Sequence, residues 1–291
     1  MGALPRGYRS LADALALAVR APGARVSTLA HSHEGRPVQA VELGPEGAPR
    51  LTVVVSGIHA LEWIGVETLL AVLAAVAAAP PADRRVLFVP VLNPDGYARV
   101  EADLRAGRRR FRRGNARGVD LNRNFPTFFG QGTLGRLLPF VFRTGEEALS
   151  EPETRGLVQH LDAITRGGTS DLRFLSLHSF GGKVLFPYGG VWKRPTDVRE
   201  LRARAEGIAT KLRYQAVQSA RWVPGFFAPG MEIDHVYETY GASALLVECS
   251  HGGRSLGHPS SYLSPFAWFN PRDPEVVAKA IADATLPFLV P

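Results

Sequence analysis

Five apolar segments, most of them without polar alternation, constrain the fold of this chain most strongly. They are rich in Val, Leu and Phe, and they lie at residues 37–43, 51–56, 85–91, 172–177 and 242–248. A strand with one face in water alternates apolar and polar residues, whereas a strand covered on both faces does not. We therefore predict that these segments are strands inside a sheet, with other elements packed on both of its faces.

Helical segments separate these strands along the chain. Ala and Leu content and an apolar spacing near 3.6 residues predict helices at residues 11–20, 62–79, 153–164, 197–212 and 274–288. Strands that alternate with helices indicate an α/β architecture. The chain has no repeat of fixed period and no long Pro/Ser/Gly-rich linker, so we expect a single domain over residues 1–291.

The positive charge of the chain is concentrated in one segment. The 291 residues are 45% apolar and 21% charged, as in ordinary globular proteins, and carry a net charge of +7. Seven arginines and no acidic residue lie between Arg105 and Arg117, and the rest of the chain has equal numbers of basic and acidic residues. Because no nucleic-acid-binding motif accompanies this cluster, we do not expect a nucleic-acid partner. The surrounding residues 93–144 are predicted to be a long irregular stretch of the kind that is usually functional.

Cysteine content and the amino-terminal residues bear on the compartment. Cys249 is the sole cysteine, so no intramolecular disulfide can form. Charges interrupt the first 23 residues, which lack the apolar core of a signal peptide. The most apolar run, residues 69–79, is too short for a membrane span. We expect a cytoplasmic protein without a membrane span; the oligomeric state is left open.

His59 and Glu62 form an HxxE pair between a predicted buried strand and the helix that follows it. Three-residue spacing at such a turn lets an imidazole and a carboxylate face one point, as a metal with nitrogen and oxygen ligands requires. His178 ends another predicted strand, where open α/β sheets place ligands. Taken singly, each of these histidines also fits an ordinary structural role.

Two further motifs contain groups suited to substrate recognition and proton transfer. The segment Asp-Leu-Asn-Arg-Asn-Phe at 120–125 contains Asn122 and Arg123, whose amide and guanidinium can bind a carboxylate together. Glu248 ends a very apolar strand, so burial is expected to raise its pKa toward a range useful for acid and base catalysis. An Asn-rich turn and a salt-bridged glutamate are the structural alternatives.

The order of these motifs and the residues around them resemble the zinc metallocarboxypeptidase family over about residues 8–248. The resemblance implies a central mixed, mostly parallel twisted sheet flanked by helices on both faces. It also implies one zinc ion per chain, held by His59, Glu62 and His178, with Glu248 as general acid/base. The expected substrate is a peptide or peptide-like molecule with a free C-terminal carboxylate, whose terminal amide bond is hydrolysed. No inhibitory propeptide is expected before this domain.

The same resemblance implies roles for other polar residues. Asn122 and Arg123 would hold the substrate carboxylate, and Arg113 would polarise the scissile carbonyl. Arg112, which follows Phe111, is the alternative for that second role. Tyr237, in a D-x-x-Y pattern, would be the mobile tyrosine that covers the bound substrate, with Tyr240 as its alternative.

Other activities fit the same residues. Amidases of cell-wall peptides and N-acyl amino acid deacylases share the metal-ligand pattern and the Asn-Arg pair. The Asn-Ala-Arg-Gly segment at 115–118 also resembles bacterial cell-wall peptide amidases. A catalytically inactive binding module would have lost a ligand or the base, whereas all of these residues are present here.

Overall fold

Eight strands form one sheet in the computed structural model, which describes residues 2–131 and 143–291. The strands are β1 (Arg25–His31), β2 (Pro37–Leu43), β3 (Arg50–Ser56), β4 (Arg84–Val89), β5 (Asp171–His178), β6 (Lys183–Phe186), β7 (Gln215–Gln218) and β8 (Ser243–Glu248). Their order across the sheet is β1-β2-β4-β3-β5-β8-β6-β7. The central strands β4, β3, β5 and β8 are mutually parallel, and antiparallel pairs occur toward both edges.

Helices cover both faces of this sheet. Within the described residues they are α1 (Leu11–Val19), α2 (Trp63–Ala78), α3 (Pro94–Arg105), α4 (Pro152–Thr165), α5 (Val198–Leu212), α6 (Glu232–Tyr240), α7 (Pro265–Phe269) and α8 (Pro274–Leu289). Successive residues of β3 enter different apolar clusters: Val54 packs with α2 and α8, whereas Val53 and Val55 pack on the side of α4 and α6. Both faces of the central strands are therefore buried, which confirms the predicted single α/β domain and explains the missing alternation.

The register of the parallel strands brings three strand ends to one edge. Ser56, the last residue of β3, pairs with Leu177 of β5, and His178 of β5 pairs with Glu248 of β8. Since parallel strands point the same way, the segments that leave β3, β5 and β8 all start at this edge. The motifs predicted to carry chemistry therefore converge, although 119 positions separate His59 from His178.

All five predicted strands and all five predicted helices are present, with ends displaced by a few residues. The helix predicted at 62–79 is Trp63–Ala78, and the strand predicted at 85–91 is Arg84–Val89. Strands β1, β6 and β7 were not predicted. Edge strand β1 is largely exposed, and β6 and β7 have only four residues each, so neither composition nor length distinguishes them from loops.

The prediction of an irregular stretch over residues 93–144 was wrong at its start, where α3 lies; positions 132–142 are outside the described residues. The side chain of Asn93 caps α3 by accepting from the Gly96 amide, and Pro94 occupies the first turn. Tyr97 and Val100, one turn apart, are its buried apolar residues. The many polar residues of α3 hide this narrow apolar stripe.

Among the described residues, none of the helices combines the length and the hydropathy needed to cross a bilayer.

Gly65 sets how closely α2 approaches the sheet, because a Cβ atom there would lie 2.5 Å from the carbonyl oxygen of Leu177. Gly65→Ala should therefore displace α2 and lower the free energy of unfolding by roughly 1–3 kcal/mol, as overpacking does. Urea denaturation measures this. The control is Gly207→Ala in α5, where nothing lies within 4 Å of the added atom. That change should stabilise the protein by about 0.4–1 kcal/mol, and equal losses from both changes would contradict the packing explanation.

Candidate active site

The turn after β3 delivers two of the predicted metal ligands. Gly57 follows the strand with a φ of 62°, in the left-handed region that favours glycine. The backbone amides of Leu92 and Asn93 donate to the carbonyls of Ser56 and Gly57, which ties this turn to the segment after β4. The chain then passes His59 and reaches Glu62, and α2 begins at the next residue. Both side chains are buried at the sheet edge.

His59, Glu62 and His178 meet at one point, as predicted. His59 Nδ1 lies 2.9 Å from Glu62 Oε1, and His178 Nδ1 lies 3.0 Å from Glu62 Oε2. The two Nδ1 atoms are 3.0 Å apart. A backbone amide at Ser179 also donates to Glu62 Oε2 at 3.0 Å, which fixes the carboxylate. Two imidazole nitrogens and a carboxylate therefore face one another in a buried site.

Carboxylates behind the two histidines determine which ring nitrogen faces this point. His59 Nε2 lies 2.9 Å from Asp120 Oδ1, and His178 Nε2 lies 2.9 Å from Glu232 Oε1. Since an ionised carboxylate only accepts hydrogen bonds, each Nε2 is the donor in its pair. The lone pairs of both Nδ1 atoms are left facing Glu62. Three hydrogen-bond acceptors therefore converge, namely the two imidazole nitrogens and the carboxylate.

Such a convergence of acceptors needs a cation between them. The surroundings favour positive charge here: burial lowers the pKa of His178, but the carboxylates of Glu232 and Glu62 outweigh burial and raise that pKa to about 10. Without a metal ion a proton on Nδ1 therefore provides this charge, and a bound metal ion would take the place of that proton. Two imidazoles and one carboxylate are the donor set of His₂Glu catalytic zinc sites, which keep a further position open. The residues present therefore fit a zinc ion.

A second group of ionisable side chains contains His33, Glu151 and Glu153. His33 Nε2 lies 2.8 Å from Glu151 Oε2. The Asn115 amide donates to Glu151 at 2.6 Å and to Glu153 at 3.3 Å, so a donor already lies between the carboxylates. This group is a hydrogen-bonded network that holds the 115–118 segment, and we assign no metal to it.

Glu248 ends β8 beside the metal-ligand group and is 8% exposed. Burial raises its pKa, and the charge of Glu62 adds to the effect against His178 and Arg113, giving a pKa of about 8. Within the described residues, Glu248 Oε2 has no hydrogen-bond partner. This carboxylate is thus placed to accept and donate protons near neutral pH.

The structure distinguishes the two arginines considered for carbonyl polarisation. Arg113 Nε donates to Asp120 Oδ2 at 2.7 Å, and its Nη1 lies 3.4 Å from Glu62 Oε1 at the wall of the cavity. Arg112 instead pairs with Asp103 and does not line the cavity. The placement of Arg113 fits the role expected for it, and that of Arg112 does not.

Asn122 and Arg123 lie in a short 3₁₀ turn at Leu121–Arg123, which Asp120 caps through the Asn122 amide. Both side chains are buried and line the cavity. Asn122 Oδ1 accepts from the backbone amide of Glu232 at 3.0 Å, so its Nδ2 is the atom that remains to donate to a ligand. Two donors of this kind can bind a carboxylate.

Tyr237 does not line the cavity in this structure, and its expected role of covering a bound substrate stays a prediction. Its hydroxyl donates to Asp197 at 2.6 Å, and its ring packs against Tyr188. Tyr237 lies five positions after Glu232 in α6, so the two side chains leave the helix on different sides. Tyr240, the alternative, donates to Asp162 at 2.7 Å.

A cavity of about 370 Å³ opens over the metal-ligand group. Its polar wall contains the three metal-ligand residues with Arg113, Asn122, Arg123 and Glu248. The remaining wall is mainly apolar and consists of Ser179, Phe180, Leu185, Ser219, Trp222, Val223, Phe226, Ala228, Met231, Leu246 and Phe269. No tyrosine is among these described lining residues.

Sequence reasoning missed two carboxylates of the site, Asp120 and Glu232. Asp120 stands in the 120–125 motif and was given no role, although a metal-binding histidine almost always has such a partner. Glu232 had no signal of its own, because an acidic residue in the first turn of a helix is common for reasons of the helix dipole.

Comparison with known proteins agrees with this geometry. The family profile described as zinc carboxypeptidase matches residues 14–267. The chain belongs to the zinc carboxypeptidase family. Among its relatives, mouse carboxypeptidase A4 is 28% identical over 261 residues, which cover 82% of this chain and 60% of that protein.

Other relatives of this zinc carboxypeptidase family member include proteins that are named inactive. An inactive metallocarboxypeptidase of Blastomyces gilchristii is 29% identical over 66% of this chain, and the match covers 36% of that protein. The chain thus spans about a third of the length of such fungal relatives. Bovine thrombin-activatable fibrinolysis inhibitor, solved with tick carboxypeptidase inhibitor, shares the fold at a TM-score of 0.72 and 22% identity, with 96% of each chain covered.

The metal-ligand group generates a prediction about zinc content. We expect one zinc ion per chain in the wild type and none after His178→Ala, because that change leaves two ligands. Dialysis followed by elemental analysis measures the ratio. The matched control is His33→Ala, which removes a histidine from the second group and should retain one zinc. Loss of zinc in the control alone would show that the second group is the metal site.

Proposed function

We propose that the chain is a zinc-dependent carboxypeptidase that hydrolyses the C-terminal amide bond of peptides. The observation that carries the proposal is one cavity that combines the metal-ligand group, the carboxylate of Glu248 and the donors of Asn122 and Arg123. A metal site and a general base alone would suit hydrolysis anywhere along a peptide. Buried donors for a carboxylate at the same cavity favour a substrate that ends there.

The chemistry follows from the positions of these groups. A bound zinc ion supplies a Lewis acid that acidifies water and polarises a carbonyl. Glu248 takes a proton from the attacking water and later delivers it to the leaving amine. The guanidinium of Arg113 donates to the carbonyl oxygen as negative charge develops on it. Asp120 keeps that guanidinium oriented through its bond to Arg113 Nε.

The apolar wall of the cavity supports a preference among C-terminal side chains. Leu185, Ala228, Met231 and Leu246 line it, and Glu62 and Glu248 are its only acidic residues within the described chain. Both of these carboxylates are engaged by the proposed chemistry. A basic side chain would find no further carboxylate, so we infer a preference for apolar C-terminal residues.

Some relatives of the chain are named inactive, and the residues bear on that alternative. An inactive binding module is expected to have lost a metal ligand or the base. Here His59, Glu62 and His178 are present and meet at one point, and Glu248 is present and lines the same cavity. This supports an active hydrolase.

A first experiment tests the proposed base. Glu248→Gln should retain zinc, since Glu248 is not a ligand, and should lose about 10²- to 10⁴-fold in kcat because proton transfer is removed. Mass spectrometry of products from a peptide library, with zinc present and chelated, measures the reaction. The expected product is a single released C-terminal residue, mostly apolar. Near-full activity of the variant would show that another group is the base.

A second experiment tests the carboxylate site. Arg123→Ala should weaken hydrolysis of peptides with a free C-terminus and leave C-terminally amidated peptides little affected, because only the former offer the negative charge. The ratio of kcat/KM values for matched free and amidated peptides is the measurement. Equal losses on both would contradict the assignment.

The mass-spectrometric product assay also distinguishes a carboxypeptidase from an amidase of cell-wall peptides or an N-acyl amino acid deacylase. A murein tripeptide and N-acyl amino acids are included as substrates beside ordinary peptides. Turnover of either in preference to all peptides would replace the carboxypeptidase proposal with an amidase or a deacylase that uses the same metal-ligand group. The Asn-Ala-Arg-Gly segment gives no independent support to the amidase, since Asn115 bonds to Glu151 and Glu153.

A further inference from the structure

Glu232 is the first residue of α6 and is fully buried. Its Oε1 lies 2.9 Å from His178 Nε2, and its backbone amide donates to Asn122 Oδ1 at 3.0 Å. Glu232 itself does not line the cavity, although both of these partners do. It therefore stands behind the site and touches both the metal-ligand group and the carboxylate donors.

A buried glutamate in this position is costly to the fold. Within the described residues, Glu232 Oε2 has no hydrogen-bond partner, so His178 is the hydrogen-bond partner shown for the carboxylate. Ionised groups removed from water need several compensating contacts, and the described residues provide this one with the His178 ring and the charge of Arg123. The amino-terminal end of α6 offsets part of the cost, because the helix dipole favours a negative charge there. Because the buried carboxylate of Glu232 is unfavourable for the fold, we infer that this residue has a role at the site.

The same arrangement occurs at the other histidine. Asp120 Oδ1 lies 2.9 Å from His59 Nε2, the distance that separates Glu232 from His178. Both carboxylates leave the Nδ1 atom of their histidine facing Glu62. In metal sites such partners fix the ring orientation and make the ligand nitrogen more basic.

We propose that Glu232 is a positioning residue, which holds the His178 ring with Nδ1 toward the metal and strengthens it as a ligand. The inference rests on the proposed zinc site. It adds a second carboxylate–histidine pair to the one formed by Asp120 and His59. Because the Glu232 backbone also orients Asn122, one residue aligns a metal ligand with the group that holds the substrate carboxylate.

The test changes the side chain and leaves the backbone contact to Asn122 in place. Glu232→Gln is nearly isosteric, but its neutral amide neither enforces the Nε2–H form nor adds negative charge. Zinc affinity, measured by competition with a chelator, should fall about 10- to 100-fold. The control is Glu151→Gln, which removes a comparably buried glutamate that bonds to His33 and should leave zinc affinity unchanged.

A spectroscopic readout separates positioning from general loss of stability. In the zinc-loaded wild type, the Nε2 proton of His178 should resonate far downfield because it is donated to a carboxylate, and Glu232→Gln should move it upfield. The His59 resonance should stay in place. Glu232→Asp serves as a second variant if the amide form fails to fold, and its shorter carboxylate should give weaker zinc binding than the wild type.

The outcomes distinguish this inference from the proposed function. If the wild type binds zinc tightly and both Glu232 variants bind it equally well with unmoved His178 resonances, the positioning role is overturned and the metal site stands. If the wild type itself binds no zinc, the proposed function and the role of Glu232 fail together. Weakened zinc binding with a shifted His178 resonance supports the role.

Discussion

Parallel pairing of β3, β5 and β8 is the constraint on which the rest of the structure depends. It sets His178 level with Glu248 and starts the turn that holds His59 and Glu62 at the same edge. Each strand is anchored by apolar side chains on both faces, so a shift of register by one residue would turn those side chains to the wrong layers. The chemistry is therefore positioned by the core, and the close approach of α2 at Gly65 is part of the same arrangement.

Charge compensation is the second organising feature. The site gathers buried carboxylates from Glu62, Asp120, Glu232 and Glu248, with Arg113 and Arg123 as nearby cations. Their mutual repulsion disfavours the fold unless further positive charge is supplied, and a divalent ion held by His59, Glu62 and His178 would supply it. Zinc binding and stability are thus expected to be coupled. The buried carboxylates that would weaken an ordinary core are what make this cavity suited to a metal.

The arginine-rich segment illustrates how tertiary contacts change the meaning of composition. Along the sequence, its excess of positive charge is the feature that raised the question of a nucleic-acid partner. In the structure, Arg105 forms an ion pair with Glu101. Both Arg108 and Arg112 form ion pairs with Asp103, and Arg113 forms one with Asp120 at the wall of the cavity. Much of this charge is therefore neutralised locally by acidic residues of α3 and the site. A cluster that appears unbalanced along the chain is partly balanced in space.

The sequence by itself determined the layered α/β architecture and the core strands, because burial on both faces leaves a local record in residue type. It also indicated His59, Glu62, His178 and Glu248, because each stands at the end of an apolar strand or in the turn after it and their order resembles that of the zinc metallocarboxypeptidases. Only the tertiary structure showed that Arg113 lines the cavity and Arg112 and Tyr237 do not, and revealed Asp120 and Glu232 as partners of the histidines. Those facts depend on side-chain direction and on contacts between residues far apart in the chain, and neither leaves a local pattern in the sequence.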